Sequence, residues 1–94
     1  MIEEVHEVEC GEGWKSLYVP LMERCKADGV AVLQVKEKFG GLRFYVAGGS
    51  DDLYDAIEEA ESRSFTICEC CGAPGELRKD GWWKTLCDLH AQRK

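Results

Sequence analysis

The stretch Cys68-Glu69-Cys70-Cys71-Gly72, answered sixteen residues after Cys71 by Cys87-Asp88-Leu89-His90, decides how this chain is read. It holds two short ligand pairs, C-x2-C and C-x2-H. Each pair can curl round one ion, and the long spacer lets the second pair arrive from another element. That is the donor pattern of a tetrahedral Zn²⁺ site. Gly72, directly behind the second cysteine, frees the backbone for the tight turn that aims amide N–H groups at thiolate sulfurs. The candidate metal ligands are therefore Cys68, Cys71, Cys87 and His90, with Zn²⁺ as the expected cofactor. Cys70 is an extra thiol inside the knuckle, and a ligand set that includes it stays open.

The spacer reads as a short hairpin: Glu76-Leu77-Arg78, a turn at Lys79-Asp80-Gly81, then Trp82-Trp83-Lys84-Thr85-Leu86. Cys87 to Arg93 fits a terminal helix whose first turn supplies Cys87 and His90. Knuckle, hairpin and helix-borne second pair make a treble-clef-like zinc finger. Trp82 and Trp83 alternate faces in a regular strand, so one is expected to pack inward and the other to stay available. Three thiolates and one imidazole fill all four positions on the metal. A closed site of this kind is structural, whereas catalytic zinc keeps a vacant position.

Upstream of the finger the pattern changes. Trp14, Leu17, Tyr18, Leu21, Met22 and Cys25 recur at steps of three, one, three, one and three. They form the stripe of an amphipathic helix closed by Asp28-Gly29. Pro20 interrupts it: either the helix kinks there, or the main helix begins near Pro20, where a missing N–H does no harm.

Val30 to Val46 reads as a β-hairpin with Gly40-Gly41 as its two-residue loop. That loop pairs Phe39 with Leu42, Lys38 with Arg43, Glu37 with Phe44, and Lys36 with Tyr45. Val35, Phe39, Leu42, Phe44 and Val46 then share a face with Glu37, and Gln34, Lys36, Lys38, Arg43 and Tyr45 share the other. Ser50-Asp51-Asp52 caps a further helix that buries Leu53, Ala56, Ile57 and Ala60 and runs to about Arg63. Asp55, Glu58, Glu59 and Glu61 are expected on its acidic outer face.

The fold class that follows is α+β: a small α/β body (helix, β-hairpin, helix) and a C-terminal treble-clef-like zinc finger. Composition divides the chain in the same place. Residues 1–65 carry fourteen acids against seven bases, while residues 66–94 carry four against five and hold four of the six cysteines. The border falls near Thr66, with the two parts expected to pack together as one compact unit. At 94 residues a chain buries only a modest share of its surface, so a metal cross-link helps.

The net charge of −6 argues against a generic electrostatic nucleic-acid binder, which is usually basic. Met1-Ile2-Glu3-Glu4-Val5 shows neither a cationic start nor an apolar core, and no apolar run approaches the roughly 20 residues of a membrane span. A cytoplasmic protein without membrane contact is expected, and in a reducing compartment its cysteines read as ligands and buried thiols. Cys10 and Cys25 are expected as small core side chains, and His6 with Cys10 makes at most a partial second site.

Enzymatic motifs are lacking. With His90 on the metal, only His6 remains as a histidine general base, and neither a deaminase pattern nor a phosphate-binding glycine loop occurs. A non-enzymatic recognition role follows. Its candidate partner-binding residues are Lys36, Lys38, Arg43 and Tyr45 on the hairpin with Trp82 and Trp83 in the finger. Aromatic anchors and an acidic surface favour a protein partner. The alternative is a nucleic-acid-binding regulator that uses the basic hairpin face, and the oligomeric state is left open.

The run Val35-Lys36-Glu37-Lys38-Phe39-Gly40-Gly41-Leu42-Arg43-Phe44-Tyr45, then Ala60-Glu61, the Cys68–Gly72 knuckle, Gly81-Trp82 and Leu86-Cys87-Asp88-Leu89-His90 resembles a group of small phage and prophage proteins. The resemblance extends from about Gly13 to His90. It implies a phage or prophage context and an accessory role: binding a host or phage macromolecular complex, as a regulatory or anti-defence inhibitor.

Overall fold

A proline inside a helix leaves one carbonyl without its donor, and Pro20 shows where that is tolerated. The computed structural model describes residues 8–92. After a two-residue strand β1 (Val8–Glu9) and a 3₁₀ turn at Glu12–Trp14, helix α1 (Lys15–Asp28) runs unbroken through Pro20. The helix therefore does not begin near Pro20. Pro20 and Ser16 are both exposed, so water can meet the orphaned carbonyl of Ser16. Val30 N–H donates to Cys25 O at 2.8 Å and closes the C-terminus.

Strands β2 (Ala31–Lys38) and β3 (Gly41–Ala47) form the antiparallel hairpin, and β1 joins β2 in parallel to give the order β1-β2-β3. The turn lies one residue earlier than the sequence suggests. Phe39 and Gly40, at φ +54° and +86°, occupy it, and two successive positive φ values are the hallmark of a type I′ hairpin turn. Lys38 therefore faces Gly41, Glu37 faces Leu42, Lys36 faces Arg43, and Val35 faces Phe44. Moving the turn by one shifts the pairing by two, so every strand residue keeps its expected face. Only Phe39 leaves the apolar face, and it is 63% exposed.

A bulge at Leu33 lets Val32 and Val35, three residues apart, both point inward. They meet Leu42 and Phe44 from β3, and α1 and α2 (Asp51–Ser64) close over them. Trp14, Leu17, Tyr18, Leu21 and Cys25 come from the α1 side, and Leu53, Ile57 and Ala60 from α2. Ser50 caps α2 by accepting Leu53 N–H at 3.2 Å. Glu61 is not on the outer face. Its carboxylate accepts Phe44 N–H at 2.9 Å, and Ser64 Oγ accepts Leu42 N–H at 2.9 Å, so α2 side chains seal the β3 edge.

Beyond α2 the chain forms a tight reversal with an Ile67–Pro74 bridge, the hairpin β4 (Glu76–Arg78) and β5 (Lys84–Leu86), and the short helix α3 (Asp88–Ala91). This C-terminal part seats on the tip of the β2–β3 hairpin. Thr85 Oγ1 donates to Gly40 O at 2.7 Å, and Trp14 Nε1 donates to Ile67 O at 2.8 Å. The whole is a small α+β fold in which helix, hairpin and helix precede a cysteine/histidine cluster of zinc-finger type. Among the described residues no helix is long and apolar enough to cross a membrane.

Candidate metal centre

The reversal at 66–75 is built so that its backbone faces sulfur. Cys68 N–H donates to Ala73 O at 2.7 Å and Gly72 N–H to Cys68 O at 2.9 Å, with Gly72 at φ +84°. This leaves the N–H groups of Cys70, Cys71 and Cys87 aimed at Cys68 Sγ, and that of Ala73 aimed at Cys71 Sγ. Burial raises the Cys68 pKa, but these donors outweigh it and bring the thiol down to about 6. A thiol poised as thiolate at neutral pH is what a cation requires.

The second pair comes from the end of β5 and the first turn of α3. Cys87 is the residue immediately before the helix, and His90 lies within its single turn. Arg78 holds this junction. Its Nε and Nη2 donate to Leu86 O at 3.2 and 3.1 Å, and Nη2 also meets Asp88 Oδ1 at 2.9 Å. Such outer contacts orient ligands as well as stabilise the chain.

The four donor atoms Cys68 Sγ, Cys71 Sγ, Cys87 Sγ and one ring nitrogen of His90 lie within 4.8 Å of one another. Cys71 and Cys87 sulfurs are 3.8 Å apart, and His90 Nδ1 lies 3.5 Å from Cys68 Sγ and 3.2 Å from Cys87 Sγ. A tetrahedron with metal–sulfur bonds of about 2.3 Å and a metal–nitrogen bond of about 2.0 Å has edges of about 3.8 Å and 3.5 Å. The cluster fits a tetrahedral metal ion. Cys70 is not among the four. It is exposed, and partial desolvation, with Cys68 and Glu69 nearby, raises its pKa.

Glu69 was invisible as a determinant in the sequence, where it is only the first residue between two ligands. It is 7% exposed and joins the knuckle to the N-terminal segment. Its Oε2 accepts Gly11 N–H at 2.9 Å, its carbonyl accepts Gly13 N–H at 2.7 Å, and its Oε1 pairs with Lys84 at 3.5 Å. A side chain on Gly13 would collide with the backbone of Cys68 and Glu69. The segment Gly11-Glu12-Gly13-Trp14 is thus fitted against the knuckle. The close approach of its glycines is a signal that only tertiary contact can interpret.

The candidate partner-binding residues separate into two places. Lys36, Lys38, Arg43 and Tyr45 lie on the sheet face away from the helices. Trp82 and Trp83 lie in the loop between β4 and β5, not in a strand, so the expected inward packing of one of them does not occur. Trp82 is 90% and Trp83 42% exposed. Cys25 is fully buried in the core, and Cys10 packs against it with its pKa pushed up to about 12 by burial and by Glu69 and Glu37. His6 lies outside the described residues. No protein-family model, curated protein or solved structure matches this chain.

Proposed function

We propose that this chain is a non-enzymatic, zinc-stabilised accessory protein of phage type that binds a macromolecular complex, with protein as the principal partner. The observation that carries it is the convergence of Cys68, Cys71, Cys87 and His90 within 4.8 Å. Three thiolates and an imidazole select zinc over harder divalent cations. Four protein donors complete a tetrahedron and hold the ion as a cross-link. The order of knuckle, β4–β5 hairpin and α3 supports a treble-clef-like finger.

The protein-binding reading rests on the surface. Asp51, Asp52, Asp55, Glu58 and Glu59 are all exposed on α2 and suit a basic groove on a partner. Such a charge pattern sets encounter rate and specificity more than affinity. A regulatory or anti-defence inhibitor, as the phage resemblance implies, acts by occupying such a groove. Two measurements test the reading. Metal analysis of the purified chain should give one zinc per molecule, lost in Cys87→Ser. Capture of host protein by the tagged chain should fall when Asp55, Glu58 and Glu59 are replaced by lysine. A folded, metal-free chain would refute the first part, and unchanged capture would refute the second.

A further inference from the structure

The sheet face that bears Lys36 and Arg43 leads to the hairpin tip, where Phe39 meets the finger loop. Lys36 and Arg43 are cross-strand partners on that face, with Tyr45 beyond them and Lys38 toward the tip. At the tip, Phe39 meets Trp83 edge-to-face at 6.2 Å and 65°. Lys38 Nζ lies 5.7 Å over the Phe39 ring, and Lys79 Nζ lies 4.7 Å over Trp83. Phe39, Trp82 and Trp83 line a groove of about 570 Å³ together with Lys38, Gly81 and Glu37. Four cations and four aromatics therefore follow one another from the sheet onto the finger.

We propose that this strip, Tyr45–Arg43–Lys36–Lys38–Phe39–Trp83–Lys79–Trp82, binds single-stranded nucleic acid, with phosphates on the cations and bases stacked on Phe39 and Trp82. The inference goes beyond the protein-binding reading. It rests on the zinc reading only insofar as the metal holds the finger loop beside the hairpin tip.

Chemistry and geometry both favour this occupant. Base stacking needs exposed π-faces beside a cationic track and no sequence readout, and Trp82 and Phe39 are 90% and 63% exposed. The hairpin portion, from Tyr45 to the turn, is about 16 Å long at roughly 3.3 Å per residue, within reach of a few nucleotides. Lys36, Lys38 and Arg43 form no ion pair with another described residue. Glu37, the acid nearest the groove, is already held by Gly40 N–H at 2.8 Å and Lys84 at 3.4 Å.

The net charge of −6 includes one acid on the strip's own face, Glu9, the cross-strand partner of Lys36, which Gln34 Nε2 holds at 3.4 Å. The exposed acids of α2 stand on a separate element. Addition of a peptide strand to β3 is blocked, because Leu42 and Phe44 N–H groups are taken by Ser64 and Glu61. The groove walls carry charge, which disfavours an apolar helix.

The test is a titration of the zinc-loaded chain with a fluorescein-labelled oligothymidylate of about 15 nucleotides, the upper end of a small single-strand site. Anisotropy should rise and tryptophan emission should fall, more strongly than with a duplex of equal length. Trp82→Ala, at an exposed position, should weaken binding by about ten- to a hundred-fold with zinc content unchanged. The triple variant Lys36→Ala, Lys38→Ala, Arg43→Ala should lower the log–log salt slope by about 2, at about 0.7 per phosphate contact. Absence of binding at low salt by the zinc-loaded chain overturns the proposal. So does binding that Trp82→Ala leaves intact. If low-salt binding is absent while Trp82→Ala abolishes capture of host protein, the strip is a protein interface. Zinc content, read in the same sample, separates failure of this proposal from failure of the metal reading.

Discussion

Glu69 Oε2 accepts the backbone N–H of Gly11 at 2.9 Å, across 58 residues of chain. The same carboxylate reaches Lys84 at 3.5 Å, so one buried acid joins the N-terminal segment, the knuckle and β5. The knuckle is therefore tied to the body by a side chain that is not one of the four candidate donors.

Removal of that carboxylate leaves a part-buried N–H without its acceptor. Glu69→Ala is expected to lower stability by about 2 kcal/mol, in the range for an unsatisfied buried donor. Glu69→Gln, which keeps one acceptor oxygen, should cost less. Urea unfolding of the zinc-loaded variants checks both, and equal losses would show that the N–H contact contributes nothing.

Ser64 gives a parallel case without charge. Its buried hydroxyl accepts Leu42 N–H at 2.9 Å and donates to Glu61 O at 2.6 Å. Ser64→Ala strands the Leu42 N–H at the sheet edge, and a loss of about 1–3 kcal/mol is expected. Hydrogen exchange should show the Leu42 amide losing protection first.

Metal removal should act locally before it acts globally. Chelation should loosen the finger while the helices of the body retain their circular dichroism. A sharper reporter is Trp14, whose indole N–H donates to Ile67 O at 2.8 Å. Its indole proton resonance should shift on chelation and return with added zinc. A resonance indifferent to metal would mean that the knuckle holds its shape unaided.

The alkaline limit should depend on Cys10. Burial, then Glu69 and Glu37, raises this thiol from 9.0 to about 12. A raised pKa contributes stability that is whole below the unfolded value near 9 and is lost as pH rises toward 12. Stability should therefore fall above pH 9, and the fall should flatten in Cys10→Ala. Identical alkaline slopes in the two proteins would exclude Cys10 as the source.

Much of this structure was legible because its signals are local. The stripe from Trp14 to Cys25, the Ser50 cap and the spacing of two ligand pairs each depend on residues within a turn or two. The hairpin faces were legible for a subtler reason: a turn displaced by one residue shifts pairing by two, and alternation survives. Phe39 was misplaced because Phe39-Gly40 and Gly40-Gly41 compete as loops. The left-handed Phe39 is retained where Trp83 and Lys38 meet its ring. Trp82 was misread because a strand expected to begin there begins at Lys84.

By itself, then, the sequence determined the two helices and the hairpin of the body, their buried faces and the four residues that could hold a metal ion, since helix period, strand alternation and ligand spacing are short-range properties. Tertiary structure alone decided that Glu69 anchors Gly11, that Glu61 and Ser64 seal the β3 edge, and that Phe39 meets Trp83. Those contacts join residues 17 to 58 positions apart, and no periodicity encodes which distant partner a polar or aromatic side chain will find. The opening cysteine pattern names the residues that could hold a metal ion, and the packing of the finger on the hairpin tip decides which surface stays exposed beside it.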